Sequence, residues 1–383
     1  MGGIARVYSL SQELKKKYTI NILAIRDEYH GYFGLKKNLT GVNVKFINTN
    51  RKINHKALIL KKIFKILFRN ILYILSIDAI TPHISKLSEE SISIIDKNKI
   101  SIVIISGPPF SLFRLVKKLV SKYPEIKIIL DYRDGWTTRI SSKYLSIFNF
   151  LIFNYFEKNY LNHSKLVTLA TNTIKDDLDK KIKINSQLIT NGYMSKFNLK
   201  NLSNSKEDNC INIGYFGLIS DSRFSYRNIG VFYESIDKKS NINFHFYGNS
   251  EIKNKKYLDF NRFNFKKNVD FINVSTEMKK MDYLLIFHSE KSTVREVITG
   301  KFYEYVTTGI PILVVTNGVS EVSKIVKKYN LGLSIDYSKE NLKFFFKRKL
   351  KKRYVINRDK FIINSFSRDF QNKLFIKNLD AIC

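Results

Sequence analysis

The stretch REVITGKFYEYVTTGIPIL, residues 295–313, runs from charged residues through a short amphipathic segment to a glycine stop and an apolar run. Thr299 is placed as an N-cap, Lys301 to Thr308 suit a short helix, and Gly309 with Pro311 ends it before the strand PILVV (311–315). A helix feeding a strand that is apolar throughout predicts a parallel sheet covered on both faces. Lys301 then stands at a helix start, which already carries about half a positive charge. The position favours an anion such as a phosphate, the alternative being a lysine that points to solvent. On a continuous helix Glu296 and Glu304 lie roughly 12 Å apart along the axis and about 80° around it. Paired glycosidase carboxyls stand about 5 to 9.5 Å apart across the scissile bond, so the two glutamates are expected to have separate jobs.

The helix–strand rhythm extends in both directions. Towards the N-terminus the apolar periods predict a helix over 4–16, strands at 19–25 and 42–48, and a long helix ending near Asp78. Strands at 101–106, 126–131 and 166–170 follow, alternating with helices at 110–122 and 145–161. The polar run NLKNLSNSKEDN (198–209) reads as a linker. Beyond it the pattern restarts with INIGYFG (211–217) and continues through strands at 243–248, 269–273, 283–287, 311–315 and 331–335, with a helix led by Ser275. The division expected is an N-terminal acceptor-side domain over 1–197, the linker, a C-terminal nucleotide-sugar-binding domain over 210–357, and a tail, 358–383, whose helix packs back on the N-terminal domain. At 383 residues the chain suits two domains of ordinary size. In doubly wound α/β units ligands sit at the carboxyl ends of the strands.

The formal charge of +33 suits nucleic acid, anionic lipid or phosphorylated substrates and does not choose among them. Much of the lysine excess fits codon drift in an AT-rich genome. A nucleic-acid reader would need an aromatic-interleaved basic patch or a recognisable motif, and neither is present. Two cysteines, Cys210 and Cys383, have no metal-ligand spacing and fit a reducing compartment. No export signal opens the chain, so the cytoplasm is the expected location. The apolar tract 58–77 carries Lys61, Lys62, Lys65 and Arg69, which suits a bilayer span poorly. That tract and the aromatic stretch 144–156 fit either a buried or amphipathic helix or a membrane-surface contact. Asp177 and Asp179 imitate a metal-binding Asp-x-Asp, yet they sit in the lysine-flanked helical stretch TIKDDLDKK and read as a solvated face. The histidines show no zinc spacing, and no metal is implied.

Glu296-x7-Glu304 with Gly-Lys-x-x-Glu-Tyr before Gly-x-Pro-Ile-Leu resembles the donor-site signature of glycosyltransferase family 4. GYFGLISDSRFSYRN (214–228) resembles the glycine loop opening the family's C-terminal domain. ISGPPFS (105–111), LDYRDGWT (130–137), LITNGYMSKF (188–197) and VVTNGVSEVSKIV (314–326) resemble further family blocks, so the likeness covers nearly the whole chain. It implies the GT-B fold, two Rossmann-like domains facing a cleft. It implies that Lys301 and Arg227 contact the donor diphosphate, with Arg223 as a second candidate and Thr299, Gly300 and Gly217 around them. Glu304 is implied at the nucleotide ribose, Glu296 near the transferred sugar, and Asp134 beside the acceptor. For Asp134 a turn cap, and for Trp136 core filling, are equally good readings. Leu218 stands where the family has an arginine, and Met194 where it often has aspartate. The chain also opens at the family's first glycine loop, MGGIARVYSL with Gly3, so the usual first strand is expected to be missing. Its absence should expose apolar edges.

The expected activity is retaining, metal-independent transfer of a hexose from a UDP-, GDP- or similar nucleotide sugar, without a cofactor. The implied acceptor is a glycan or polyprenyl-diphosphate-linked oligosaccharide of bacterial surface polysaccharide synthesis, met at the inner face of the cytoplasmic membrane. The alternatives are a sugar-nucleotide epimerase of the same fold and an inactive, truncated relative that acts as a binding protein.

Overall fold

The computed structural model describes residues 2–26, 40–48, 78, 80–138, 147–194, 209–222, 225–266, 269, 271–288, 295–316, 318–351 and 354–383. The tract 58–77, Arg223 and most of the expected linker lie outside these residues. The chain divides into two compact units, Met1–Asn191 with Arg368–Cys383, and Gly192–Ser367.

In the first unit, strands β1 (Asn21–Arg26) and β2 (Asn43–Asn48) form a parallel pair. Strands β3 (Ile102–Gly107), β4 (Lys127–Tyr132), β5 (Leu166–Leu169) and β6 (Ser186–Leu188) form a second, parallel sheet in that order. Among the described residues the two sheets are separate, and β3 pairs only with β4. The difference shows in burial: Ile102, Val103 and Ile104 of β3 are half-buried, while Ile128, Ile129 and Leu130 of β4 are sealed. Alternate residues of β4 serve opposite faces, as a strand's period of two requires. Ile128, Leu130 and Tyr132 join one core with Trp136 and Phe113. Ile129 joins another with Leu10 and Leu14 of helix Gly2–Leu14 and Phe375 and Leu379 of helix Arg368–Asp380.

The second unit holds six parallel strands in the order β11-β9-β7-β12-β13-β14. They are β7 (Ile211–Phe216), β9 (Ile242–Tyr247), β11 (Phe263–Lys266), β12 (Tyr283–Phe287), β13 (Ile312–Thr316) and β14 (Gly332–Asp336), while β8 (Ile219–Ser220) pairs with β10 (Ser250–Glu251). From β7 the chain builds outward one way through β9 and β11, then returns to build the other way from β12. The order therefore reverses between β7 and β12, where such sheets present a crevice at their carboxyl ends. Leu285, Phe287, Leu313 and Val315 fill one face, and Leu284, Ile286, Ile312 and Val314 the other.

Two expected elements are corrected. The strand expected over 269–273 is replaced from 271 onward by a helix: Phe271–Lys279 begins there and buries Met278, so Ser275 lies inside the helix instead of leading it. The strand comes one segment earlier, at β11, where FNFK pairs with Phe244–Tyr247 and buries Phe263. The short polar-interrupted run hid it. The helix expected over 301–308 is Gly300–Tyr305, with the following turn closed by Gly309 at φ 75°. Glu296 lies in a turn before that helix, so helical spacing does not govern the two glutamates.

Candidate active site

The site sits at the carboxyl end of β7. Gly217 follows that strand with φ 148°, a conformation that favours glycine, and a Cβ there would lie 2.6 Å from Lys301 Cε and Nζ. Glycine is needed because the lysine side chain lies across its Cα. Helix Gly300–Tyr305 is anchored by the buried Phe302, Tyr303 and Tyr305. The Phe216 backbone N–H donates to Tyr305 Oη at 3.2 Å, which ties the helix to the end of β7. These contacts fix Lys301 over Gly217. At Gly300 an added Cβ would meet nothing within 4 Å, so the helix start borders open space.

Lys301 Nζ donates to Tyr215 Oη at 3.0 Å and lies 4.4 Å from the centre of that ring. The Tyr215 hydroxyl donates in turn to Leu218 O at 3.1 Å, leaving its lone pair to the ammonium. No carboxylate among the described residues forms an ion pair with Lys301. Burial, reinforced by the charge of Arg227 and opposed by Glu304, pulls its pKa down to about 7. Arg227 stacks on Tyr226, 4.8 Å from the ring centre, and its buried Nε has no hydrogen-bond partner among the described residues. Thr299 has the extended backbone of an N-cap, yet its hydroxyl does not cap the helix: Oγ1 is buried and has no partner among the described residues. Buried polar groups are nearly always paired, so two orphans near a lysine with no ion pair among the described residues mark a place able to receive polar or anionic atoms. Glu304 is exposed on the same helix, and its carboxylate makes no hydrogen bond among the described residues.

Of the residues singled out from the sequence, Gly217, Arg227, Thr299, Gly300, Lys301 and Glu304 all belong to this region of the second unit. Glu296 precedes it and is 5 % exposed. Arg223 lies outside the described residues. Gly3 and Asp134 belong to the first unit, Gly3 in the opening turn of helix Gly2–Leu14 and Asp134 half-buried in the bend after β4. Trp136 fills core, stacked on Phe110 and Tyr160. Asp179 pairs with Lys175 on helix Asn172–Asp179 and accepts from Ser186. Two site residues escaped the sequence reading, Tyr215 and His288, although each stands at the end of an apolar strand, the position that marks them.

An arrangement of cations and donors with no ion pair among the described residues, over a glycine at the reversal point of a parallel sheet, can hold a diphosphate and stabilise charge growing on it. No protein-family model and no curated protein matches the sequence. Solved structures do. Anabaena HepE, in complex with UDP and glucose, is similar at a TM-score of 0.59 and 11% identity, covering 100% of this chain and 96% of that one. The lipopolysaccharide outer core galactosyltransferase WaaB matches at 0.59 and 12% identity, covering 95% and 100%. Sucrose-phosphate synthase from Thermosynechococcus elongatus matches at 0.57 and 11% identity, covering 79% and 80%. The fold is GT-B.

Proposed function

We propose that the chain is a retaining glycosyltransferase that moves a hexose from a nucleoside diphosphate sugar to a glycan or lipid-linked oligosaccharide of surface polysaccharide synthesis. The observation that carries this is Lys301, half-buried over Gly217, beside Arg227: among the described residues Lys301 has no ion pair and the Arg227 Nε no hydrogen-bond partner. The UDP and glucose named with HepE and the galactosyl transfer named for WaaB supply the substrate class. As the anomeric bond breaks, negative charge gathers on the leaving diphosphate, and Lys301 and Arg227 stabilise it. Glu304 accepts from the ribose hydroxyls, and Glu296 serves the sugar. The departing phosphate oxygen takes the acceptor proton on the same face, so no nucleophilic side chain and no metal enters.

Thermal-shift screening of nucleotide sugars should find one that raises the melting temperature of the wild type and not of Lys301→Ala. Transfer and donor hydrolysis by Lys301→Ala at wild-type rates would sink the assignment. Proton NMR of the product should show the donor's anomeric configuration kept. Docking on an anionic membrane belongs to the same proposal, supported by Leu151 and Tyr155, 57% and 63% exposed one turn apart on helix Ile147–Asn162. No described helix is long and apolar enough to cross a membrane. Failure to float with anionic liposomes at low salt removes the docking part alone.

A further inference from the structure

The other strand bordering the reversal point is β12, and the residue after it is His288. It is 3 % exposed, and its backbone N–H donates to Val315 O at 3.0 Å, which sets the ring at the carboxyl end of the sheet. The ring lies 5.8 Å from Tyr226, the tyrosine that also carries Arg227. Among the described residues its nitrogens make no hydrogen bond. Lys301, from helix Gly300–Tyr305, and Arg227, from the loop after β8, are the charged groups that reach it. With burial as the first cause, they hold its pKa at about 4. At neutral pH it is an uncharged imidazole with one N–H to give. A phenylalanine would fill the same core volume, so packing does not explain a histidine here. A group with an unused donor, flanked by two unmatched cations, does.

We propose that His288 is a further donor-contacting residue, whose imidazole N–H donates to a phosphoryl oxygen of the sugar diphosphate held by Lys301 and Arg227. The inference rests on the proposed function. A neutral donor there adds a directed hydrogen bond without adding a third like charge beside Lys301 and Arg227, and direction discriminates between phosphate positions where charge alone does not.

Calorimetric titration of wild type, His288→Phe and His288→Gln with uridine, UMP and UDP, and with the guanosine series, tests it. For the series that binds, His288→Phe should lose roughly tenfold in affinity for the diphosphate, and His288→Gln, which keeps an N–H, should stay within about threefold. The bare nucleoside should bind all three alike. Equal diphosphate affinity of wild type and His288→Phe overturns the inference, and so does an equal loss for nucleoside and diphosphate. In the wild type, the ring-nitrogen NMR signals that disappear in His288→Gln should shift on adding the diphosphate, a readout that survives if the Phe variant fails to fold. Unmoved signals at saturation also overturn it. A wild type that binds no nucleotide in either series fails the proposed function itself.

Discussion

Asp131 and Lys301 are both charges placed at the carboxyl ends of parallel strands, one in each unit, and their surroundings are opposite. Asp131 accepts from Arg6 Nη2 at 2.7 Å and Nε at 3.2 Å, from Ser106 at 2.8 Å and from Thr168 at 2.8 Å. Arg6 spends another N–H on Thr190 O at 2.8 Å. Burial pushes the Asp131 carboxyl up, and Arg6 with these hydrogen bonds outweighs it, holding the pKa below the usual range. Among the described residues Lys301 has one hydrogen-bond partner, a neutral phenol. A charge matched on every side is part of the scaffold, and the proposed function gives a charge left without an ion pair in a similar setting its counterpart in the donor. Charge at a strand end therefore says little about function until its partners are counted.

The comparison can be broken most decisively at Asp131. Asp131→Ala leaves Arg6 buried without its counter-ion and should cost about 3–5 kcal/mol in urea unfolding. A loss near zero would mean that the pair is not structural. Lys301→Met should do the reverse, removing ~10²–10³-fold in turnover, the size expected for a group that stabilises charge in the transition state, with the melting temperature unchanged or raised. Steady-state kinetics and calorimetry on one preparation decide it.

The acid–base behaviour separates the pair next. The unfolded lysine holds its proton to about 10.5 and the folded one to about 7. Between those values the unfolded chain binds more protons, so stability of the ligand-free protein should rise with pH across that window, and the rise should vanish in Lys301→Met. Diphosphate affinity should fall above pH 7, by at most about tenfold per unit, because binding needs the charged form. Calorimetry at two pH values either side of 7 measures the slope, and a flat profile assigns the phosphate contact elsewhere. Gly217→Ala should cost roughly 1–2 kcal/mol for a side chain at positive φ, and it should weaken diphosphate binding by displacing Lys301. The smallest effect expected is that of Glu304→Ala, a several-fold rise in donor KM with kcat nearly kept, the size of one lost hydrogen bond.

The fold was legible where one element decided it. YLLIF (283–287) and the unit from Gly300 to β13 read correctly because their burial is continuous, and continuous apolar strands leave little choice of partner. FNFK did not read as a strand because only its pairing with β9 makes it one. The lysine could be placed from the sequence because glycine, helix start and strand lie within a few residues of it. The Arg6–Asp131 pair spans 125 positions and leaves no local trace. His288 was missed for a different reason: the apolar strand YLLIF pointed to it, but the neighbours that make a single histidine informative, Arg227 and Tyr226, come from another part of the chain.

Tyr215 has a consequence for how quickly the site can fill. The ammonium rests on a phenol and the face of its ring, both uncharged, so under the proposed function an incoming diphosphate separates no pair of opposite charges as it takes the lysine over. What the lysine gives up is a weak, short-range contact, and the attraction that replaces it is felt from well outside the crevice. Capture can then run close to the rate of encounter, and discrimination among nucleotides falls to the slower business of letting the wrong ones go.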